Sequence, residues 1–322
     1  MDLVTFGEGL IRLSPAPPAT DAHSAHLAAY VAGSELNVAV AAAHLEVSTR
    51  WISRLPDTGL GHFLDATARA HGVDTRIEWA QEGRVGVYFL TEGSAPRQSG
   101  VVYDRAGSAF SLLAEDSLEW PSLLRGARWF HMSGITPALS ESAAAMSADA
   151  LGHAKEAGLT VSYDVNYRGK LWDAKRAREV QEPLMRHVDV LIVSRDDARI
   201  VFGVSDASAE SVARALAERF GIGAVVVTDR DAADGTSAAV VADGVASSAP
   251  LYAVDVVERV GTGDAFTAGL IVSRIQNQSW ADAVRLAAAS AALKLTMRGD
   301  FFTGRRSDID NLVQRHSAKA GR

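Results

Sequence analysis

The chain has 322 residues, 48% of them hydrophobic, and a formal net charge of −7. That is enough apolar material for a large core, while interleaved charges without a basic stripe argue against nucleic acid and anionic membranes as partners. There is no cysteine, which excludes a disulfide framework and thiolate metal sites and fits a reducing compartment. The opening Met1-Asp-Leu-Val-Thr-Phe6 lacks the basic start and apolar core of a signal peptide. No apolar run approaches the ~18 residues of a membrane span, so a cytoplasmic protein is expected.

In chain order, Leu3–Phe6 reads as a first strand, Glu35–Leu45 as a helix and Arg50–Ile52 as a strand. Arg84–Leu90 and Gly100–Tyr103 are strand-like runs on either side of a turn-rich stretch, which predicts a β-hairpin with a long loop. Projecting from an α/β core, it would make a lid over about residues 84–108. Strands then follow at Trp129–Met132, Thr160–Asp164, Val188–Val193 and Ala224–Val227. They are interleaved with helical patterns at Glu141–Ala157 and Ala207–Phe220, and further helices are expected at Ala265–Ile275 and Trp280–Leu293. From Ser307 onward a short amphipathic segment gives way to a polar tail that is expected to fray. This β-then-α rhythm predicts a mostly parallel sheet covered by helices on both faces. Ligands of such sheets bind beyond the carboxyl ends of the strands, where Ser133, Asp164 and Ser194 fall.

One motif carries chemistry directly. In Val260-Gly261-Thr262-Gly263-Asp264, two glycines flank a small residue, an aspartate follows, and an apolar helical run begins. Glycines admit a ligand close to the backbone, and the unpaired first N–H groups of a helix attract negative charge, most often phosphate. Asp264 beside such an anion hole is placed to take a proton from a hydroxyl attacking a phosphoryl group, which points to a kinase. The competing reading is that Asp264 only caps the helix.

Further segments agree with the first reading and carry a resemblance. The opening Leu3–Pro15, Ala32-Gly-Ser-Glu-Leu-Asn-Val-Ala39, Tyr103-Asp-Arg-Ala-Gly-Ser-Ala109, Ser133-Gly-Ile-Thr-Pro137, Asp164-Val-Asn-Tyr-Arg168 and Gly261–Phe266 occur in an order that resembles the ribokinase-like (PfkB) carbohydrate kinases. Among these, the chain is most similar to the 2-keto-3-deoxygluconate kinases. The resemblance implies one α/β domain over residues 1–310 with the lid inserted, and a tail over 311–322. It also implies ATP and Mg2+ as cofactors, and a homo-oligomer formed through the β lid. Asp264 would be the base, and Gly261, Thr262 and Gly263 would supply the anion hole.

On the substrate side the resemblance implies Gly33, Ser34, Asn37, Tyr88, Tyr103, Arg105, Ile135, Arg168 and Asp300. Arg105 and Arg168 together would favour a sugar acid over a neutral sugar, because a guanidinium grips a carboxylate with two parallel hydrogen bonds. Either arginine can instead pair with its neighbours Asp104 or Asp164, and the tyrosines can simply pack the lid. Gly33-Ser34 can be a capped turn, Asn37 can bond backbone, and Asp300 can lie in a surface turn. On the nucleotide side, Ser194, Thr228, Arg230 and Gly235 join Gly261 and Gly263, with Asp197 and Glu258 expected to reach the metal through water; the competing reading of 228–235 is a polar loop.

Five positions depart from the family pattern: Ser194 stands for Asn, Asp197 for Glu, Glu258 for Asp, Thr262 for Ala, and Glu46 for a glycine after the first helix. Four of these fall on the nucleotide side. The leading expectation is therefore transfer from ATP to the 6-hydroxyl of 2-keto-3-deoxygluconate, giving a 6-phospho product that an aldolase then splits. Fructose, ribose or 2-keto-3-deoxygalactonate as acceptor is one alternative. A sugar-acid-binding protein without catalysis is another.

Overall fold

The computed structural model describes residues 1–15, 26–93, 96, 98–114, 117–229 and 236–320. Its strands, in chain order, are β1 (Leu3–Phe6), β2 (Leu10–Pro15), β3 (Leu27–Ala32), β4 (Thr49–Pro56), β5 (Asp74–Ala80), β6 (Gly86–Thr91) and β7 (Gly100–Asp104). They continue with β8 (Trp129–Ser133), β9 (Thr160–Asp164), β10 (Val190–Ser194), β11 (Ala224–Thr228), β12 (Thr236–Ala242) and β13 (Val245–Pro250). Nine of them form one sheet in the order β13-β12-β11-β10-β9-β8-β1-β4-β5. It is parallel from β11 to β5 and antiparallel across β11-β12-β13.

The central strands are apolar runs buried along their length, such as Ala-Val-Val-Val in β11. Both faces of the sheet are covered by helices, which is why the alternation typical of a half-exposed sheet is absent. Two large apolar clusters lie on opposite faces. One is built around Phe130, Met146, Leu151 and Leu216, the other around Val38, Val226, Phe266 and Leu270. Among the described residues, no helix is long and apolar enough to cross a membrane.

The lid is larger than the expected hairpin. β6 and β7 pair antiparallel as predicted, but β2 joins β6 in parallel and β3 closes the order β3-β2-β6-β7. Exposure alternates along β7, so one face of this sheet looks to solvent and the other closes over the main sheet's carboxyl edge. The stretch after Phe6 thus continues the first strand's segment into the lid.

The C-terminal segment also differs from expectation. Arg306–Ala320 is a helix rather than a frayed tail, because Ile309, Leu312 and Val313 recur at helical spacing and pack on the second cluster.

Glu46 explains one departure from the family pattern. The Ser34–His44 helix ends with Val47 N–H bonded to the Ala42 carbonyl and Glu46 N–H to the Ala43 carbonyl, the arrangement that needs a left-handed residue. Glu46 has φ 67° there. A side chain in that region is strained, so Glu46→Gly is expected to stabilise the protein by about 0.5–1 kcal/mol. Urea denaturation with an unchanged or lowered midpoint would contradict this.

Candidate active site

Two helices aim their first turns at the same cavity. The Ser34–His44 helix starts after Gly33, at φ 150°, and a Cβ there would lie 2.3 Å from the Glu8 carbonyl oxygen. The Thr262–Ile275 helix starts after Gly261, at φ 74°, where a Cβ would lie 2.1 Å from the Asp300 carbonyl oxygen. Only glycine lets the backbone come this close at these angles. Between them, under the lid and beyond the ends of β9, β10 and β11, lies a cavity of about 660 Å³.

Asp264 stands in the first turn of the second helix. Its Oδ1 accepts a hydrogen bond from Ser34 Oγ at 2.8 Å, and its Oδ2 accepts one from Asn37 Nδ2 at 2.7 Å. Asn166, held at φ 39°, donates in turn to Ser34 Oγ at 3.1 Å. Burial pushes the Asp264 carboxyl above the ordinary aspartate range, against the hydrogen bonds from Asn37 and Ser34 and the charges of Arg168 and Lys294. The helix cap is Gly261, with no side-chain bond, so Asp264 does not serve as the N-cap. Asn37 and Ser34 likewise serve Asp264 rather than backbone or cap.

The expected residues Gly33, Ser34, Asn37, Tyr88, Tyr103, Arg105, Ile135, Arg168, Ser194, Asp197, Thr228, Gly261, Thr262, Gly263, Asp264 and Asp300 all line the cavity. Arg230 and Gly235 lie outside the described residues. Several play parts other than those expected. Arg105 is buried and gives both Nε and a terminal nitrogen to Glu8 Oε2, a partner neither adjacent in sequence nor anticipated; Asp104 pairs with Arg84 instead. Arg168 is exposed, donates to the Tyr167 carbonyl at 3.3 Å, and forms no ion pair among the described residues. Arg168 thus lines the cavity without an ion pair among the described residues, as Arg259 does, and its charge is felt at Asp164, Asp197 and Asp264.

Glu258, expected to reach the metal through water, does not line the cavity. It is buried away from the cavity lining, with Oε1 bonded to Arg12 and Oε2 accepting from Gly299 N–H at 2.8 Å, which takes up both oxygens. Arg12, from β2, also pairs with Asp300 at 2.8 Å, and Tyr30 stacks on its guanidinium at 4.2 Å. Tyr88 donates its hydroxyl to Asp300 Oδ1 at 2.8 Å. Asp300, expected to bind sugar, thus joins Arg12 and Tyr88 in a buried brace between lid and body. Thr262 turns its hydroxyl back to the Arg259 carbonyl at 2.6 Å, closing the loop rather than crowding the anion hole.

Carboxyl groups collect at the far end of the cavity. Burial pushes Asp164 up to about 8, with Asp197 and Asp264 adding to the rise and Arg168 opposing it. Burial also raises Asp197, whose N–H is held by Ser194 Oγ at 3.0 Å. Among the described residues, no group of three acidic, histidine or cysteine side chains forms a metal cage. Mg2+ needs none, since it keeps several waters and takes one or two carboxylates plus substrate phosphates. The crowded carboxylates suit that mode.

Glu8, Arg12, Glu35, Asn166 and Lys294 were not anticipated. Glu35, fully buried, accepts from Ser133 N–H and Oγ, both at 2.8 Å, and from Thr136 Oγ1 at 2.9 Å, tying the 133–137 segment to the first helix. A charge inside an apolar run, as in Leu10-Ile-Arg-Leu13, is the signal that marks such residues.

The brace yields a prediction. Arg12→Met leaves Glu258 and Asp300 buried without their cation, at a cost of about 3–5 kcal/mol near neutral pH. Asp300 already sits at about 6, raised by burial and lowered by Arg12. A carboxyl raised in the folded state binds its proton more tightly there than when unfolded, so ionising it costs stability as pH rises. Without Arg12 the Asp300 carboxyl titrates above 6, so the variant's deficit should be largest at high pH and shrink as pH falls toward 6, where Asp300 takes up its proton in both proteins. Denaturation curves showing the same deficit at both ends would contradict the brace.

Comparison with known proteins agrees with this geometry. Residues 1–303 match the pfkB family carbohydrate kinase profile. The chain is 38% identical over 313 residues to the 2-dehydro-3-deoxygalactonokinase of Haloferax volcanii, covering 97% of this chain and 96% of that one. It is 32% identical over 304 residues to the 2-dehydro-3-deoxygluconokinase of Thermoproteus tenax, covering 93% and 90%. The crystal structure of 2-dehydro-3-deoxygluconokinase from Thermotoga maritima superposes with a TM-score of 0.92 at 34% identity, covering 98% of both chains. The ribokinase-like α/β fold, the Gly-x-Gly-Asp helix start and these matches lead to one conclusion: the chain belongs to the pfkB family of carbohydrate kinases.

Proposed function

We propose that this kinase transfers the γ-phosphoryl group of ATP to the 6-hydroxyl of a 2-keto-3-deoxy sugar acid, with Asp264 as the base. The observation that carries the reading is the Asp264 carboxylate, oriented through both oxygens by Ser34 and Asn37 beside the Gly261–Gly263 amides. A sugar acid as acceptor is supported by the relatives named above and by the unpaired guanidinium of Arg168 in the cavity. The Arg105–Glu8 pair is close to neutral and shapes the wall opposite. Of the two epimers, the galactonate form has the support of the 38% identical relative and the gluconate form that of the 32% identical relative and the 34% identical structure.

In this reading the acid's carboxylate binds Arg168, and Tyr103 and Ile135 close on the sugar. The acceptor hydroxyl meets Asp264, which takes its proton as the oxygen attacks phosphorus. The amides of Gly261, Thr262 and Gly263 receive the charge that develops on the transferred group. Asp197 would hold Mg2+ through water, and the bound ion would neutralise phosphate charge. Ser194 and Thr228 face the nucleotide. A second copy of the chain would cover the outer lid face, where Phe89 and Val102 lie opposite each other and exposed.

ADP release measured on both keto-deoxy epimers, fructose, ribose and gluconate tests the reading. Turnover should be confined to the keto-deoxy acids and fall by about 10²–10⁴-fold in Asp264→Asn. Arg168→Met should raise KM for the acids by roughly 10–100-fold, as the loss of a charge-assisted contact does. Preference for a neutral sugar would overturn the choice of substrate class, and full activity in Asp264→Asn would overturn the base.

A further inference from the structure

Lys294, the last residue of the Trp280–Lys294 helix, is fully buried directly behind the anion hole. Its ammonium donates to the Met297 carbonyl at 3.1 Å, at the start of the turn that carries Asp300. Its Cε lies 3.2 Å from where a Cβ on Gly261 would stand, on a backbone that the Asp300 carbonyl crowds at 2.1 Å. The Gly261 backbone is thus packed against both the lysine stem and the turn that the ammonium fastens. Lys294 does not line the cavity, and a folded protein keeps a buried ammonium only where something answers its charge.

The groups that answer it surround the site. Glu258, Asp300 and Asp264 favour the charged ammonium, while burial and Arg12 oppose it. The interaction is mutual, because the same ammonium lowers the proton affinity of Asp264 and of Asp300, and of Glu92 on the lid side. Asp264 also faces Arg168, and its own charge is felt at Asp164. Lys294 therefore sits where one cation acts on the base and on the amides that receive the phosphoryl charge.

We propose that Lys294 is a positioning residue for phosphoryl transfer, whose buried ammonium fixes the 297–300 turn against Gly261 and places a positive charge behind the Gly261–Gly263 amides and Asp264. It acts through those groups and touches neither sugar nor nucleotide. Its charge helps Asp264 stay ionised as a base and favours the state in which negative charge has moved to the amides. Removing it should slow transfer while leaving acceptor binding in place.

The inference rests on the kinase reading with Asp264 as base, and the experiment separates the two. Lys294→Met keeps the stem and removes the charge. Its kcat with ATP and the sugar acid should fall by about 10–100-fold, as losses of supporting groups behind a reacting shell do, with KM for the acid little changed. Because the ammonium lowers the pKa of Asp264, the acid limb of the kcat profile should move to higher pH in the variant. Wild-type kcat and an unmoved acid limb, with only a lower Tm, would overturn the proposal. So would a rise in KM alone. Should Lys294→Met fail to fold, Lys294→Gln, which retains a donor for the Met297 carbonyl, is read by the same criteria. Failure of both to fold would assign the lysine to folding and overturn its role in transfer. Wild-type protein inactive on every acceptor would sink the kinase reading itself, a result distinct from all of these.

Discussion

The structure depends on the meeting of two helix starts that are more than two hundred residues apart in sequence. Asp264 is fixed not by its own helix but by Ser34 and Asn37 of the other. That geometry requires each helix to begin on a glycine pressed against a neighbouring carbonyl, Gly33 on Glu8 and Gly261 on Asp300. Helix dipole, free amides and carboxylate then fall in one place without further arrangement. The parallel sheet supplies the platform, because its strands all end on that side.

Electrostatics divides the cavity into three zones. Arg12, Glu258 and Asp300 form a dry brace where charge is matched internally and binds lid to body. Arg105 and Glu8 form a second matched pair on the wall. The end bearing Asp164, Asp197 and Asp264 gathers three carboxyl groups whose proton affinity burial raises, with Arg168 facing them. A buried pair contributes little net stability and much geometric definition, whereas an excess of one sign in a cavity invites ions and charged ligands. The arginines held in buried pairs, Arg12 and Arg105, are thus distinct from the exposed Arg168.

Much of this was legible in the sequence because it is local. The apolar runs of β1, β8, β9 and β11 and the Gly-x-Gly-Asp helix start need only neighbours to be recognised. What was missed is long-range. β2 and β3 joined the lid through register with β6, which no local pattern announces. β12 and β13 are short runs of small residues, too weakly patterned to stand out. Partners were harder still. Arg105 was expected on the substrate or paired with a sequence neighbour, whereas its partner Glu8 lies 97 residues away, and the partners of Glu258, Arg12 and Gly299, likewise come from distant segments. Residue type showed where charge was needed; only the fold showed what it was for.

On the reading proposed above, Asp264 serves the transfer step rather than the holding of the acceptor. The most direct measurement is calorimetric binding of the keto-deoxy sugar acid to wild-type protein and to Asp264→Asn, set beside single-turnover transfer from ATP in each. The asparagine can still bond to Ser34 and lose only the charge and the proton acceptor, so affinity should be retained while transfer is lost. Affinity and transfer falling together would contradict the account and make Asp264 a binding residue.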